Sequence, residues 1–181
     1  MTLNQRGGLF RPELIKRLII YSLLLLLLAS LQCSFFAGLH ILPATPDLLL
    51  GAILAIILLD SKRSAAIVAI CGGVLADALG GSGYSLSPLF FLIFAVIMGA
   101  ISEKILPSFF SYMILLLPAI LMREAYTCLC ILAVYGSLPI VYTAKNILLP
   151  EAVCTFVVCL AVYPLVRLCT RPFGTRNKFS F

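Results

Sequence analysis

The chain has 181 residues, of which 62% are apolar and 11% are charged, and its formal net charge is +6. A soluble domain carries about a quarter charged residues, and a chain this short has too little interior to hide so much apolar surface from water. The composition therefore excludes an ordinary soluble domain and indicates an integral membrane protein.

Six apolar segments follow one another along the chain, and each is predicted to be a transmembrane helix. They cover residues 14–39, 46–60, 64–79, 88–105, 109–135 and 147–169. Together they form one domain, residues 14–170, between an N-terminal tail of residues 1–13 and a basic C-terminal tail of residues 171–181. The predicted fold class is therefore all-α, a polytopic bundle of six transmembrane helices.

The first two segments each allow a second interpretation. The first follows a basic stretch, as a signal peptide does, but residues 30–33 offer neither a small-x-small cleavage site nor a lipoprotein site. We therefore interpret it as an uncleaved span. In the second segment, the stretch without charged residues is limited to residues 48–59. It gives about 18 Å of helix, whereas the hydrocarbon core of a bilayer is about 30 Å thick. A re-entrant hairpin of the second and third segments would place Asp60, Lys62 and Arg63 in the interior of the bilayer, which is costly. We therefore predict that the second segment is a short span.

The distribution of Lys and Arg predicts how the segments are oriented in the membrane. Nearly all of these residues lie in the tails and in one set of loops, which includes Lys62 and Lys104, whereas the other set holds Lys145. We expect both termini to be cytoplasmic and the Lys145 loop to be external. Because the positive charge lies at the membrane edges, it indicates contact with membrane lipids and not with nucleic acid.

Small residues recur at every fourth position of the third segment. Ala65, Ala69, Gly73 and Gly81 follow this spacing, and Asp77 occupies the remaining position of the series. Residues with this spacing lie on one face of a helix, and small side chains let helices approach closely in lipid. We predict that these four residues form a helix-packing face and that Asp77 points into the bundle.

The fifth segment contains Arg123 and Glu124, and ionisable residues inside a span are rare and usually paired. Adjacent residues of a helix do not face each other, so Arg123 needs a partner on another helix. Asp77 and Arg123 each lie about 15 residues, or about 22 Å, beyond the cytoplasmic start of their helices. We predict a buried Asp77–Arg123 ion pair, which either locks the bundle or lines a path for a ligand or proton.

Four further carboxylates lie at the ends of predicted segments, where solvated side chains are typical. They are Asp47, Asp60, Glu103 and Glu151. We expect all four to be exposed. Pro118, inside the fifth segment, is expected to kink that helix.

No catalytic residue, metal ligand or cofactor is predicted. Residues 80–83 match the G-x-S-G of rhomboid-like intramembrane proteases, and His40 is the sole histidine that could serve as a base. In that family the serine opens a helix deep in the membrane, whereas here Gly80, Ser82 and Gly83 form a glycine-rich outer turn. The seven cysteines lie mostly in apolar runs and lack metal-ligand spacing.

Several short stretches resemble one family. The first comprises Leu31-Gln32 and residues 46–50, and the second, residues 72–85, is similar to a G-x-x-x-D-x-x-x-G-S-x-x-G pattern, with Tyr84-Ser85 replacing the later glycine. Met98-Gly99 and residues 149–152 also fit. Together they resemble MreD, the membrane subunit of the bacterial rod-shape machinery.

The resemblance implies a non-enzymatic scaffold of the bacterial cytoplasmic membrane. MreC is its main implied partner, and the pair links the MreB filament to RodA and its penicillin-binding partner in peptidoglycan synthesis and rod shape. MreD-like chains also resemble the substrate-binding components of energy-coupling-factor vitamin transporters, which are six-helix bundles, so such a subunit is the alternative. It requires an outward pocket with convergent polar groups. Candidates for these groups are Asp77, Arg123, Glu124, Tyr126 and Thr127.

Overall fold

The computed structural model describes residues 12–36, 45–60, 62–80, 86–136 and 148–170. Within these residues it contains six α-helices and no strand, which confirms the all-α prediction. They are α1 (Pro12–Leu31), α2 (Leu48–Leu59), α3 (Lys62–Gly80), α4 (Ser87–Ser102), α5 (Phe109–Tyr135) and α6 (Leu149–Thr170). A π-helical turn, Gln32–Phe36, extends α1. Each helix coincides with one of the predicted apolar segments.

Three of the described helical segments are long and apolar enough to cross a membrane. They are Ile15–Ser34, Phe109–Val134 and Leu149–Thr170. The other helices contain shorter apolar stretches. On the outside of the bundle, large apolar side chains such as Leu23, Val96 and Leu121 are more than half exposed. Many large apolar side chains exposed in this way are a liability in water and suit a lipid environment.

The shortest helix, α2, lies at the centre of the bundle. All of its residues from Leu48 to Leu59 are buried, and it contacts each of the other five described helices. Its sequence is apolar on every side, and such a helix needs an apolar environment all round. Because other helices provide that environment, its length of about 18 Å does not have to match the thickness of a lipid core.

The packing of α3 against α4 depends on a small residue. A Cβ atom built on Gly73 would overlap the backbone of Pro88 at the start of α4, so only glycine permits this approach. Ala65 and Ala69 of the same series are also buried. Gly81, the last member of the predicted packing face, lies outside the described residues.

The longest helix, α5, has a defined start and end. The Ser108 hydroxyl accepts a hydrogen bond from the backbone N–H of Ser111, which is the usual role of an N-cap serine. Gly136 ends the helix in the left-handed conformation, with φ of 67°, which glycine adopts without strain. Pro118 lies inside α5, and the helix continues through it.

Candidate functional site

The central helix α2 has a buried aspartate at each end. The Asp47 carboxylate caps the start of the helix by accepting a hydrogen bond from Leu50 N–H at 3.0 Å, and Asp60 follows its last residue. Each aspartate is only 5% exposed. The prediction that both are solvated was wrong, because the other helices enclose α2. Glu103 is exposed as predicted, and Glu151 is half-buried.

Asp47 forms an ion pair with Arg123 of α5, whose Nε lies 3.0 Å from Oδ2. The N–H does not point at that oxygen, so the contact is a charge pair and not a linear hydrogen bond. The predicted partner was Asp77, which is half-buried in α3. The structure therefore places Asp47 and not Asp77 beside Arg123, and the predicted pairing is corrected accordingly.

Aromatic rings surround the other side of the Arg123 guanidinium. Its central carbon lies 5.4 Å from the ring centroid of Phe90 and 5.6 Å from those of Phe91 and Tyr126. The faces of aromatic rings attract cations, so these rings replace part of the hydration that Arg123 loses. Nη1 has no hydrogen-bond partner among the described residues. The start of α4 thus holds Arg123 against Asp47.

Hydrogen bonds also tie the backbone around Asp47 to α1 and α6. The Asp47 N–H donates to the Thr155 hydroxyl at 3.0 Å, and the Leu48 N–H donates to the Gln32 side-chain carbonyl at 3.0 Å. The Cys159 thiol donates to the Asp47 carbonyl at 3.5 Å. The first amides of a helix lack partners within the helix, and side chains from two neighbours supply them here.

A cavity of about 220 Å³ lies beside the Asp47–Arg123 pair. Every one of the six helices, or the residues that flank it, contributes to the lining. The polar lining residues are Gln32, Thr45, Asp47, Ser87, Arg123 and Glu151. The remaining lining residues are small or apolar, and they are Ala29, Cys33, Leu49, Leu75, Ala76 and Leu79. This cavity, named here the Asp47 cavity, is the candidate functional site.

Carboxylates outnumber cations at this site. Glu151 lines the cavity, and Glu124 is close enough to interact electrostatically with both Glu151 and Asp47. Glu124 is only 8% exposed, and its Oε2 has no hydrogen-bond partner in the described part of the chain. Among the described residues, Arg123 is the one cation that acts on these groups. Three acidic side chains therefore lie near one guanidinium, which contacts Asp47.

The Asp60 end of α2 has a different arrangement. Arg17 of α1 places Nη1 3.1 Å from one oxygen of the Asp60 carboxylate. The Tyr21 hydroxyl, one turn further along α1, donates to the other oxygen at 2.9 Å. Each carboxylate oxygen of Asp60 thus has its own partner among the described residues.

Several predicted site residues lie away from the cavity or outside the described residues. Ser82 and Gly83 of the predicted outer turn lie outside them, and Gly80 is the last residue of α3. Thr127 donates to the backbone carbonyl of Arg123 within α5. No group of three or more His, Cys, Asp or Glu residues within the described ranges could hold a metal ion.

Sequence reasoning missed five polar lining residues of the cavity as site residues. They are Gln32, Thr45, Asp47, Ser87 and Glu151. A signal for Asp47 was present, because an aspartate directly before an apolar helix is a typical N-cap. Counted outward from Asp60, Asp47 also lies about 20 Å along the bundle, nearly the height estimated for Arg123.

No protein-family model, curated protein or solved structure matches the chain. The resemblance noted in the sequence therefore stays a prediction. What the site can do is argued below from its own geometry.

Proposed function

We propose that the chain is a non-enzymatic scaffold of the bacterial cell-elongation machinery that docks MreC in the cytoplasmic membrane. In this proposal all six helices span the bilayer and both termini are cytoplasmic. The scaffold couples the MreB filament on the inside to peptidoglycan synthesis by RodA and its penicillin-binding partner. The partners and the role in this proposal are taken from the sequence resemblance to MreD.

One observation carries the proposal: the residues of the resemblance meet in space. Gln32 and Asp47 come from the first similar stretch and Glu151 from residues 149–152, and all three line the Asp47 cavity. Gly73, from the second stretch, sets the contact of α3 with α4. A family that shares a bundle architecture would keep its junction residues, so this convergence supports membership in a family of bundles.

The bundle also has the mechanical character that a docking platform requires. Its central helix is enclosed, and a buried ion pair fixes each end to a neighbouring helix. Helices tied in this way keep their relative positions when a partner packs against their lipid-facing sides. Docking in lipid depends on close packing of such faces, so a rigid bundle loses little entropy on association.

The test of partnership is co-purification of the full chain with an MreC-like single-span protein in detergent. We expect a stoichiometric complex that survives size-exclusion chromatography. An unrelated single-span protein of the same expression level is the control. A folded, monodisperse chain that binds neither protein would contradict the scaffold proposal.

The test of topology uses single cysteines introduced at positions 63 and 83 in a background without the native cysteines. A membrane-impermeant thiol reagent applied to intact spheroplasts should label position 83 and leave position 63 unlabelled until the membrane is opened. Labelling of both positions from the same side would rule out the six-span arrangement.

A substrate-binding subunit of a vitamin transporter is the second candidate, and the polar Asp47 cavity favours it. Small-molecule sites usually have volumes of about 300–1,000 Å³, whereas this cavity measures about 220 Å³. The size therefore fits a vitamin poorly and places this function second. Stabilisation of the purified chain by one member of a vitamin panel in a thermal-unfolding assay would reverse the order.

A further inference from the structure

We propose that the Asp47 cavity binds a small organic amine in its ammonium form. The inference goes beyond the scaffold role and does not depend on it. It combines three features of the structure: an excess of buried carboxylates, a cavity beside them, and a lining that is half polar and half apolar.

The charges of the residues around the cavity determine the sign of the charge that a ligand should carry. Arg123 alone would attract an anion, but Asp47 lies 3.0 Å from its Nε and neutralises it. Glu151 lines the cavity and has no ion-pair partner among the described residues, and Glu124 adds a further carboxylate nearby. The ionisable lining residues are therefore two carboxyl groups and one guanidinium, a balance that favours a cation over an anion.

The buried state of Glu124 is an independent reason to expect a cation. More than nine-tenths of this residue is buried, and its Oε2 lacks a hydrogen-bond partner in the described part of the structure. Burying a carboxylate without compensation is costly. A cation in the neighbouring cavity would lower that cost and would stabilise the folded protein when it binds.

The size and lining of the cavity select an organic cation. A volume of about 220 Å³ corresponds to about seven water molecules at about 30 Å³ each, more than a bare ion fills. Oxygen acceptors on Glu151, Thr45 and Ser87 suit the three N–H donors of an ammonium group. Leu49, Leu75 and other apolar lining residues suit a short hydrocarbon part.

The experiment measures thermal unfolding of the full chain in maltoside micelles, titrated with propylammonium chloride at constant ionic strength. We expect a saturable rise in Tm. Propanol, which has the same hydrocarbon part without charge, and propionate, which has the opposite charge, are expected to have no saturable effect. A rise with propionate, or no rise with propylammonium, would overturn the proposal.

Two carboxylate variants test whether propylammonium acts by binding in the Asp47 cavity. Glu151→Gln removes an acceptor in the cavity and is expected to weaken propylammonium binding about tenfold or more. Glu103→Gln changes an exposed carboxylate at the end of α4 and is expected to leave binding unchanged. Equal binding to both variants would overturn the proposal. If Glu151→Gln does not fold, calorimetric titration of the unmodified chain decides whether propylammonium binds at all, and the absence of a saturable heat would overturn the proposal.

An ammonium group reaches this cavity either from solution or from the headgroup of phosphatidylethanolamine. Micelles doped with that lipid separate the two sources. If the lipid raises Tm and abolishes the effect of propylammonium, the headgroup occupies the cavity. If the propylammonium effect persists unchanged, the ligand is a soluble amine.

Discussion

At the Asp60 end of α2, one carboxylate meets Arg17 and Tyr21, and both of its oxygens are bonded. At the Asp47 end, an equally buried aspartate shares its surroundings with Glu124 and Glu151, while Arg123 is the only described cation near them. Both ends of α2 thus have an aspartate that is withdrawn from solvent inside an apolar bundle. Among the described residues, they differ in how many acidic groups lie near the cation at each end.

The Asp60 end is a local ion pair with a clear structural role, whereas the contacts at the Asp47 end do not account for all of its acidic groups. Removing one partner of the Arg17–Asp60 pair would leave the other charge unpaired, so this pair acts as a structural connection. Unmatched buried carboxylates raise the free energy of the folded state and persist only when the rest of the fold offsets the cost. Sites of this kind are where function is expected, so the comparison singles out the Asp47 end.

The largest predicted effect follows from removing Asp47. Asp47→Ala leaves the Arg123 guanidinium buried beside aromatic rings without its anion, and it also removes the cap of α2. Breaking a buried pair on one side costs about 3–5 kcal/mol, and losing an N-cap costs about 1 kcal/mol more. Reversible unfolding in mixed micelles would measure the loss.

The matched control for Asp47→Ala is Glu103→Ala, which removes an exposed carboxylate and should change the free energy of unfolding by about 0.5 kcal/mol or less. If Asp47→Ala costs no more than this control, the Asp47–Arg123 contact contributes nothing, and the two ends of α2 do not differ as described.

A smaller loss is expected at the Asp60 end from Tyr21→Phe. The variant keeps the ring and removes the hydroxyl that donates to Asp60 at 2.9 Å. A hydrogen bond to a charged group contributes about 1.5–3 kcal/mol. The same assay measures the change, and Tyr112→Phe tests another buried hydroxyl, which donates to the Gly51 and Cys159 carbonyls and not to a carboxylate. A loss at Tyr21 below that at Tyr112 would show that the Asp60 carboxylate needs no second donor.

The sequence was sufficient to predict the helices and insufficient to predict these pairings, for a physical reason. Apolar runs and their spacing determine which segments are helical and how deep a residue lies along its helix. Lateral neighbours depend on the order of helices around the bundle, and no run of residues encodes that order. Depth alone made Asp77 a plausible partner for Arg123, whereas the structure selects Asp47, which lies at a similar depth on a different helix.

The sequence contained a signal for the central position of α2, but the comparison of its length with the bilayer thickness obscured that signal. Residues 48–59 are apolar on every side, which indicates enclosure, and enclosure removes the conflict between a short helix and a thick bilayer. The same argument would have predicted that Asp47 and Asp60 are buried. The convergence of Gln32 and Glu151 on one cavity had no such signal, because their positions relative to each other depend on tertiary packing.

The contact of α3 with α4 offers a way to perturb only the Asp47 end. Gly73→Ala would place a methyl group into the backbone of Pro88 and push away the start of α4, which carries Phe90 and Phe91 to Arg123. Overpacking of this kind costs about 1–3 kcal/mol, and thermal unfolding would record it.

Gly99→Ala, on the same contacting helix α4, is the control for this variant. A Cβ on Gly99 meets no described atom within 4 Å, so the higher helix propensity of alanine should stabilise the protein by about 0.5–1 kcal/mol. Equal changes in the two variants would mean that α4 does not depend on the close approach at Gly73.

The smallest predicted effect has the opposite sign. Glu124→Gln keeps the shape of the side chain and removes one of three carboxylates that repel one another, so the free energy of unfolding should rise by about 0.5–1 kcal/mol, the low end of couplings between neighbouring groups. Asp60→Asn makes the same chemical change at the other end of α2, where it deprives Arg17 of its anion, and it should lower stability. Measuring both variants without added amine tests the sign directly. If both lower stability equally, Glu124 has a charge partner of its own, and the excess of carboxylates at the Asp47 end is only apparent.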